Sequence, residues 1–375
     1  MNKKLFTYIL IFCILAVALA VVEIGKNIPL LWQLADNRSV SLKKTDDHIN
    51  VLLLGIGGGT HDGPNLTDTI IFASIDEKTN KINLISIPRD LWVPDLNGKI
   101  NTAYALGQNK GKGEGLVLAK AVVSKILNQP INYALRIDFN GFVKAVNLVG
   151  GLDVYVDRSF DDYQYPIPGK KNDLCGHTKD EIQRMATASA GMSNLQMFPC
   201  RYMHIHFSKG LQHMNGTQAL EFVRSRHAVG PEGTDFARSK RQEKIIRAFR
   251  KKLFSLQILL NPAKLIQLYQ TLKNSIDTDV KESEFGSFIK LAQQMKNANI
   301  QTSVLDYGDS QTGRLGLLIN PPTNSGYDFE WVLIPRKGNG NFLEIQKYVA
   351  CEIKNTLCIV TKTGIEASPS ATLKK

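Results

Sequence analysis

From Asn50 onward the chain breaks into short apolar runs separated by polar turns. Val51-Leu52-Leu53-Leu54 is continuously apolar and leads into Gly55-Ile56-Gly57-Gly58-Gly59, the pattern of a buried strand entering a tight loop. Residues 69–75 and 82–87 are rich in β-branched side chains and are separated by the turn-like stretch 76–80, so they read as neighbouring strands. The spacing becomes helical at 115–127, predicts a strand at 131–138, returns to helical at 139–149 and predicts a strand at 152–156. Strands alternating with helices imply a layered α/β domain with a largely buried sheet.

Residues 157–199 lack clear periodicity apart from a helical pattern near 179–190, and read as an insertion. Alternation at 202–207 predicts a strand. Asn215 is placed to cap a helix over 216–222, followed by an extended stretch at 223–226. A basic helix is expected over 236–256, with further helices starting at Asn261-Pro262 and spanning 282–297. Strands near 302–307 and 331–334 and a helix over 341–354 close the domain, and the Ser/Thr/Lys-rich tail from Gly364 is expected to be disordered. The expected organisation is a tip and membrane anchor at 1–26, a linker at 27–49, one catalytic domain at 50–355 and a tail at 356–375.

The N-terminus changes where this domain should work. Lys3 and Lys4 precede an uncharged run over 5–22, about the length of a membrane-spanning helix with its N-terminus inside. A cleaved signal peptide ending at Ala18-Leu19-Ala20 is the alternative. Both readings export the bulk of the chain. The formal net charge of +12 then points to an anionic partner, and export argues that this partner is not nucleic acid. Cys175, Cys200, Cys351 and Cys358 fall in the exported part; sequence separation favours Cys175–Cys200 and Cys351–Cys358, with four unpaired thiols as the alternative. His204 and His206 share one strand face, where histidines are ordinarily surface or packed residues and zinc is the alternative.

Candidate chemistry gathers at three places. The glycine loop after the first strand lacks GxGxxG and GK[ST] spacing, so a tight turn explains it better than a nucleotide. Asp68 starts one strand and Arg89-Asp90 follow the next. Antiparallel pairing would bring these two carboxylates and a guanidinium to one sheet edge, suited to Mg²⁺ and phosphate; a surface ion pair is the plainer alternative. The stretch 222–242 carries Arg224, Arg226, Arg238, Lys240 and Arg241 around a Gly-Pro-Glu-Gly loop, and Asp235 can cap a helix with Arg238, Arg241 and Gln242 on one face. Such an arginine-heavy set suits phosphate, with a solvated charge run as the alternative.

Several motifs occur together and in order: Asn50-Val51-Leu52-Leu53-Leu54-Gly55, Thr67-Asp68-Thr69, Ser86-Ile87-Pro88-Arg89-Asp90, Lys99-Ile100-Asn101-Thr102-Ala103-Tyr104 and Asp138-Phe139-Asn140-Gly141-Phe142 with Gly150-Gly151. They are followed by Leu220-Glu221-Phe222-Val223-Arg224-Ser225-Arg226 and Asp235-Phe236-Ala237-Arg238-Ser239-Lys240-Arg241-Gln242. Together the motifs resemble the LytR-CpsA-Psr family of bacterial cell-envelope proteins over about residues 50–253. The resemblance implies a three-layer α-β-α fold with a central mixed sheet behind one transmembrane helix. It also implies transfer of a glycopolymer, such as teichoic acid or capsule, from a polyprenyl-pyrophosphate carrier to a peptidoglycan hydroxyl, assisted by Mg²⁺ or Mn²⁺. Arg89, Arg224, Arg226, Arg238 and Gln242 would then hold the pyrophosphate and Asp68 a metal. Asp90 and Asp235 would orient the arginines or assist the metal, Lys99 and Asn101 would line the cleft, and Asp68 or Asp90 could accept the acceptor's proton. Leu66 and Gly57 to Gly59 stand where many relatives carry an arginine and an aspartate, so Asp62 becomes the candidate second ligand. The apolar stretch 253–260 could line a groove for the carrier lipid, core packing being the plainer role. A carrier phosphatase and a non-enzymatic polyanion-binding module are the competing functions.

Overall fold

The computed structural model describes residues 40–59, 63–188, 194–253, 270–309, 313–354 and 357–368. Strands of three or more residues are, in chain order, β1 (His48–Ile56), β2 (Thr67–Asp76), β3 (Lys81–Ser86), β4 (Tyr133–Asp138), β5 (Leu152–Val156) and β6 (Phe160–Pro166). They continue with β7 (Tyr202–Phe207), β8 (Gly210–Met214), β9 (Ile276–Thr278), β10 (Asn299–Val304), β11 (Leu357–Val360) and β12 (Ile365–Ser368). Helices of eight or more residues are α1 (Ala103–Lys110), α2 (Glu114–Leu127), α3 (Phe139–Leu148) and α4 (Lys179–Ala188). After these come α5 (Gly216–Arg224), α6 (Asp235–Leu253), α7 (Phe285–Gln294) and α8 (Leu343–Ile353).

The central sheet has six strands in the order β9-β4-β1-β2-β3-β10. It is mixed: β1 runs antiparallel to β2 and parallel to β4, β2 antiparallel to β3, and β3 parallel to β10. Alternation along β1 sends Leu52, Leu54 and Ile56 to one face, where Phe72 and Ile85 join them against α2 and α8. Ile49 and Tyr133 face the other way and meet Leu291 of α7, while Ile71, Ala73 and Leu84 meet Ile246 of α6. Both faces are covered, which is why the strands read as nearly continuous apolar runs. Each fully buried aliphatic side chain contributes roughly 1.5–3 kcal/mol, so the sheet is the most strongly anchored part of the molecule.

A second core lies beside the sheet, built from Val146 of α3, Leu152 and Val154 of β5, and the packed rings of Phe160, Phe207 and Phe222. This corrects the reading of 157–199 as lacking periodicity outside the helical pattern near 179–190, which is α4. β6 pairs with β7 there, but a register shift between Asp162 and Tyr165 interrupts the alternation that would have revealed it.

Two further expectations are corrected. Helix α5 continues through Arg224 instead of ending at Phe222, because the Ser225 amide still donates to the Glu221 carbonyl at 3.0 Å and closes one more turn. The tail is also ordered through Ser368. β11 and β12 form a hairpin whose Cys358, Val360 and Ile365 pack on the main core, tied to α8 by the Cys351–Cys358 disulfide. Among the described residues no helix is long and apolar enough to cross a membrane. The expected anchor, the helix from Asn261-Pro262 and residues 254–260 of the apolar stretch lie outside the described residues.

Candidate active site

Pairing of β2 with β3 sets Ile71 opposite Ser86, and the Ile87 amide donates to the Ile70 carbonyl at 2.9 Å. The start of one strand therefore lies beside the end of the next. Asp68 and Arg89 meet there, with Arg89 Nη1 donating to Asp68 Oδ1. Asp90 sits one layer back, 8% exposed. Three cations reach it: Arg89 Nε at 3.5 Å, Lys99 Nζ at 3.4 Å and Arg226 Nη2 at 3.6 Å. Burial opposes the charge of the Arg89 guanidinium, but the Asp68 and Asp90 carboxylates outweigh it and hold the group above the ordinary arginine range. Arg89 is therefore a fixed, fully charged cation.

Asp68 and Arg89 open onto a cleft of about 620 Å³ that Gly57, Leu66 and Arg224 also line. Arg224, in the last turn of α5, is held by aromatic groups distant in sequence. Its guanidinium lies 4.2 Å from the Phe139 ring centroid and donates to the Tyr165 hydroxyl at 3.2 Å. Gly57 belongs to the loop between β1 and β2, which is longer than the expected tight turn: the Gly58 amide donates to the Pro64 carbonyl, six residues on, at 2.9 Å. Gly58 has φ +66°, and a Cβ there would come within 2.7 Å of Asp138 Cβ, so a side chain is doubly disfavoured.

Arg238 and Gln242 border a smaller depression that shares Asp68 with the cleft, and Gln242 Nε2 lies 3.4 Å from Thr69 Oγ1. Lys99 and Asn101 do not line the cleft. Lys99 bridges Asp90 and Glu330, and Asn101 is buried, with its backbone amide donating to the Arg89 carbonyl at 3.3 Å. Arg241 turns inward, away from the face expected for it with Arg238 and Gln242. It is 3% exposed and donates to the carbonyls of Phe222, Ser225 and Glu232. Lys240 is exposed. Asp235 opens α6, while its side chain and the whole of Asp62 lie outside the described residues.

The rest of the cleft lining was not foreseen. Ile167, Asn172 and Arg201, on the connection between β6 and β7 that the Cys175–Cys200 disulfide cross-links, and Tyr202 at the start of β7 belong to it. No local motif marks these residues; only the paired cysteines hinted that the segment was ordered. His204 and His206 share a face of β7 and both hydrogen-bond Asp161 Oδ1, at 2.7 and 2.8 Å, so a carboxylate accounts for the pair.

Fold and cleft together define an α/β protein with an arginine-lined cleft at one edge of a mixed sheet. The chain belongs to the LytR_cpsA_psr family, whose model matches residues 27–319. It is 29% identical over 255 residues to the polyisoprenyl-teichoic acid–peptidoglycan teichoic acid transferase TagV of Bacillus subtilis, covering 66% of this chain and 53% of that protein. It is 30% identical over 218 residues to the corresponding transferase TagU of Bacillus cereus, covering 57% and 55%. The chain thus spans about half the length of the curated relatives it matches. The crystal structure of B. subtilis TagV shares the fold with a TM-score of 0.51 at 24% identity, covering 83% of this chain and 99% of that one.

Proposed function

We propose that the protein transfers an anionic glycopolymer from a polyprenyl-pyrophosphate carrier to a peptidoglycan hydroxyl. The observation that carries this reading is the convergence of Arg89, Arg224 and Asp68 on one open cleft. Arginines grip phosphate oxygens through two parallel hydrogen bonds, and a fixed guanidinium needs no reorganisation as charge develops on the bridging oxygen. Breaking the pyrophosphate requires charge stabilisation and alignment more than covalent help from the protein. Arg89 and Arg224 hold the phosphates, and Arg238 and Gln242 extend the same grip past Asp68. Asp90, buried among three cations, positions Arg89 and Arg226 rather than taking a proton.

The donor set fits Mg²⁺: Asp68 presents a hard carboxylate at the cleft, and magnesium is commonly held by one or two carboxylates plus substrate phosphates. Bound there, the ion would supply further neutralisation of phosphate charge. The name shared by the relatives supports a polyprenyl-linked donor and a peptidoglycan acceptor. Two disulfides among the described residues and the apolar run at 5–22 support a domain anchored to the membrane and working outside it.

The test mixes the full chain in detergent with a polyprenyl-pyrophosphate glycan and peptidoglycan, and analyses products by mass spectrometry. The expected product is glycan joined to peptidoglycan by a phosphodiester. Arg89→Ala should lose about 10²–10³-fold in rate, the cost typical of removing one donor from a charge-stabilising site. Free glycan phosphate in place of the conjugate would show water as the acceptor and replace transfer with hydrolysis.

A further inference from the structure

The cleft lining carries a further fixed cation, on the connection between β6 and β7. Arg201 Nε donates to the Asp173 carbonyl at 2.7 Å, and its guanidinium lies 3.6 Å from the Phe198 ring centroid. Its neighbour Cys200 is bonded to Cys175, and the Ile167 amide donates to the Arg201 carbonyl at 2.9 Å. A long side chain ordinarily loses considerable freedom on binding; this one is already held by a hydrogen bond, a ring and a cross-link. It also lines the same cleft as Asp68, Arg89 and Arg224.

Arg89 and Arg224 can each grip the pyrophosphate through two parallel hydrogen bonds, and Arg238 borders the adjoining depression that shares Asp68, so the pyrophosphate already has its arginines without Arg201. A second anionic group, further along the substrate, gives Arg201 a partner. The ribbon explains how the two binding points stay in register: β6 carries Tyr165, which orients Arg224, and leads directly into the segment that carries Arg201.

We propose that the disulfide-closed connection between β6 and β7 is a specificity wall, and that Arg201 binds a phosphate on the donor glycan beyond the pyrophosphate. This rests on the transferase reading above. The wall selects charged polymers over neutral ones, and the disulfide keeps Arg201 at the spacing that the selection requires.

The experiment measures binding of the full chain to two polyprenyl-pyrophosphate glycans, one with a phosphate on its distal sugar and one with none. Wild type should prefer the phosphorylated ligand by about tenfold or more, the range of one charge-assisted contact. Arg201→Ala should abolish the preference while binding the phosphate-free ligand as wild type does, which also shows that the variant is folded. Arg201→Lys should recover part of the preference, because it keeps the charge but not the fork. A Cys175→Ser/Cys200→Ser variant should lose preference while retaining the phosphate-free affinity. Equal affinity of wild type for both ligands would overturn the proposal and leave the transferase reading intact. So would an Arg201→Ala effect confined to the KM for the peptidoglycan acceptor, which would assign the residue to that substrate. Binding to neither ligand would remove the transferase reading itself.

Discussion

Glu344 and Glu352 lie two turns apart on α8, and their surroundings push them in opposite directions. Glu344 accepts two hydrogen bonds from Arg336, at 2.6 Å each, and this partner holds its carboxyl below the ordinary value of 4.5. Burial pushes Glu352 above that value, against hydrogen bonds from Tyr348 and Gln301. A depressed carboxyl adds stability that is present above its unfolded value and lost as pH falls through the folded one. A raised carboxyl favours folding below the unfolded value and loses that contribution as pH rises through the folded one. Relative to wild type, Glu344→Gln should therefore lose stability as pH rises through a window below 4.5, reaching about 3 kcal/mol at neutral pH because Arg336 is left buried without its charge partner. Glu352→Gln should gain relative stability as pH rises above 4.5. Urea unfolding from pH 3 to 8 reads both, and slopes of the same sign would refute the assignment. Legibility at this scale follows chain distance. Asp68 and Arg89 could be paired from the sequence because a short turn dictates which strand ends meet. Tyr165 and Arg201 could not, because their places depend on a ribbon whose register shift hides its own period.

Between residues and molecule stands the connection from α5 to α6, organised around one side chain. Arg241 sends Nε to the Phe222 carbonyl at 2.8 Å, Nη2 to the Ser225 carbonyl at 2.7 Å and Nη1 to Glu232, with its guanidinium 4.9 Å from the Phe160 ring centroid. These contacts fix the angle at which α5 hands over to α6, and so the placing of Arg224 relative to Arg238. From the sequence Arg241 looked like one more cation facing the ligand; only the packed core shows that it is a brace. Arg241→Ala strands the buried carbonyls of Phe222 and Ser225 together with Glu232, and should cost about 3–5 kcal/mol. Arg241→Lys should lose nearly as much, since a single ammonium cannot span the carbonyls that the guanidinium reaches. Chemical denaturation decides this: a loss under about 1 kcal/mol, the range of an exposed ion pair, would make Arg241 a surface charge after all.

At the scale of the molecule, the alternation of strands and helices was enough to place a largely buried sheet in a layered domain, because burial on both faces leaves nearly continuous apolar runs; its mixed character came only with the family resemblance. The strand order was beyond reach, because it depends on which distant segments close the edges. The motifs that mark the family end near residue 253, and a trimmed chain stopping at Leu253 would look sufficient. The order β9-β4-β1-β2-β3-β10 says otherwise, since both outer strands, Ile276–Thr278 and Asn299–Val304, come after that point. Stopping at Leu253 leaves β4 and β3 with open rows of amide and carbonyl groups on opposite sides of the sheet. Such rows template pairing with other chains, so the trimmed protein should self-associate on size-exclusion chromatography, whereas a chain ending at Ser368 stays monodisperse. A monomeric, cooperatively melting chain ending at Leu253 would disprove this. The same arrangement bears on biosynthesis. The ribosome delivers the cleft residues well before the strands that seal the sheet, so the nascent chain carries an adhesive, unfinished sheet until Val304 has emerged.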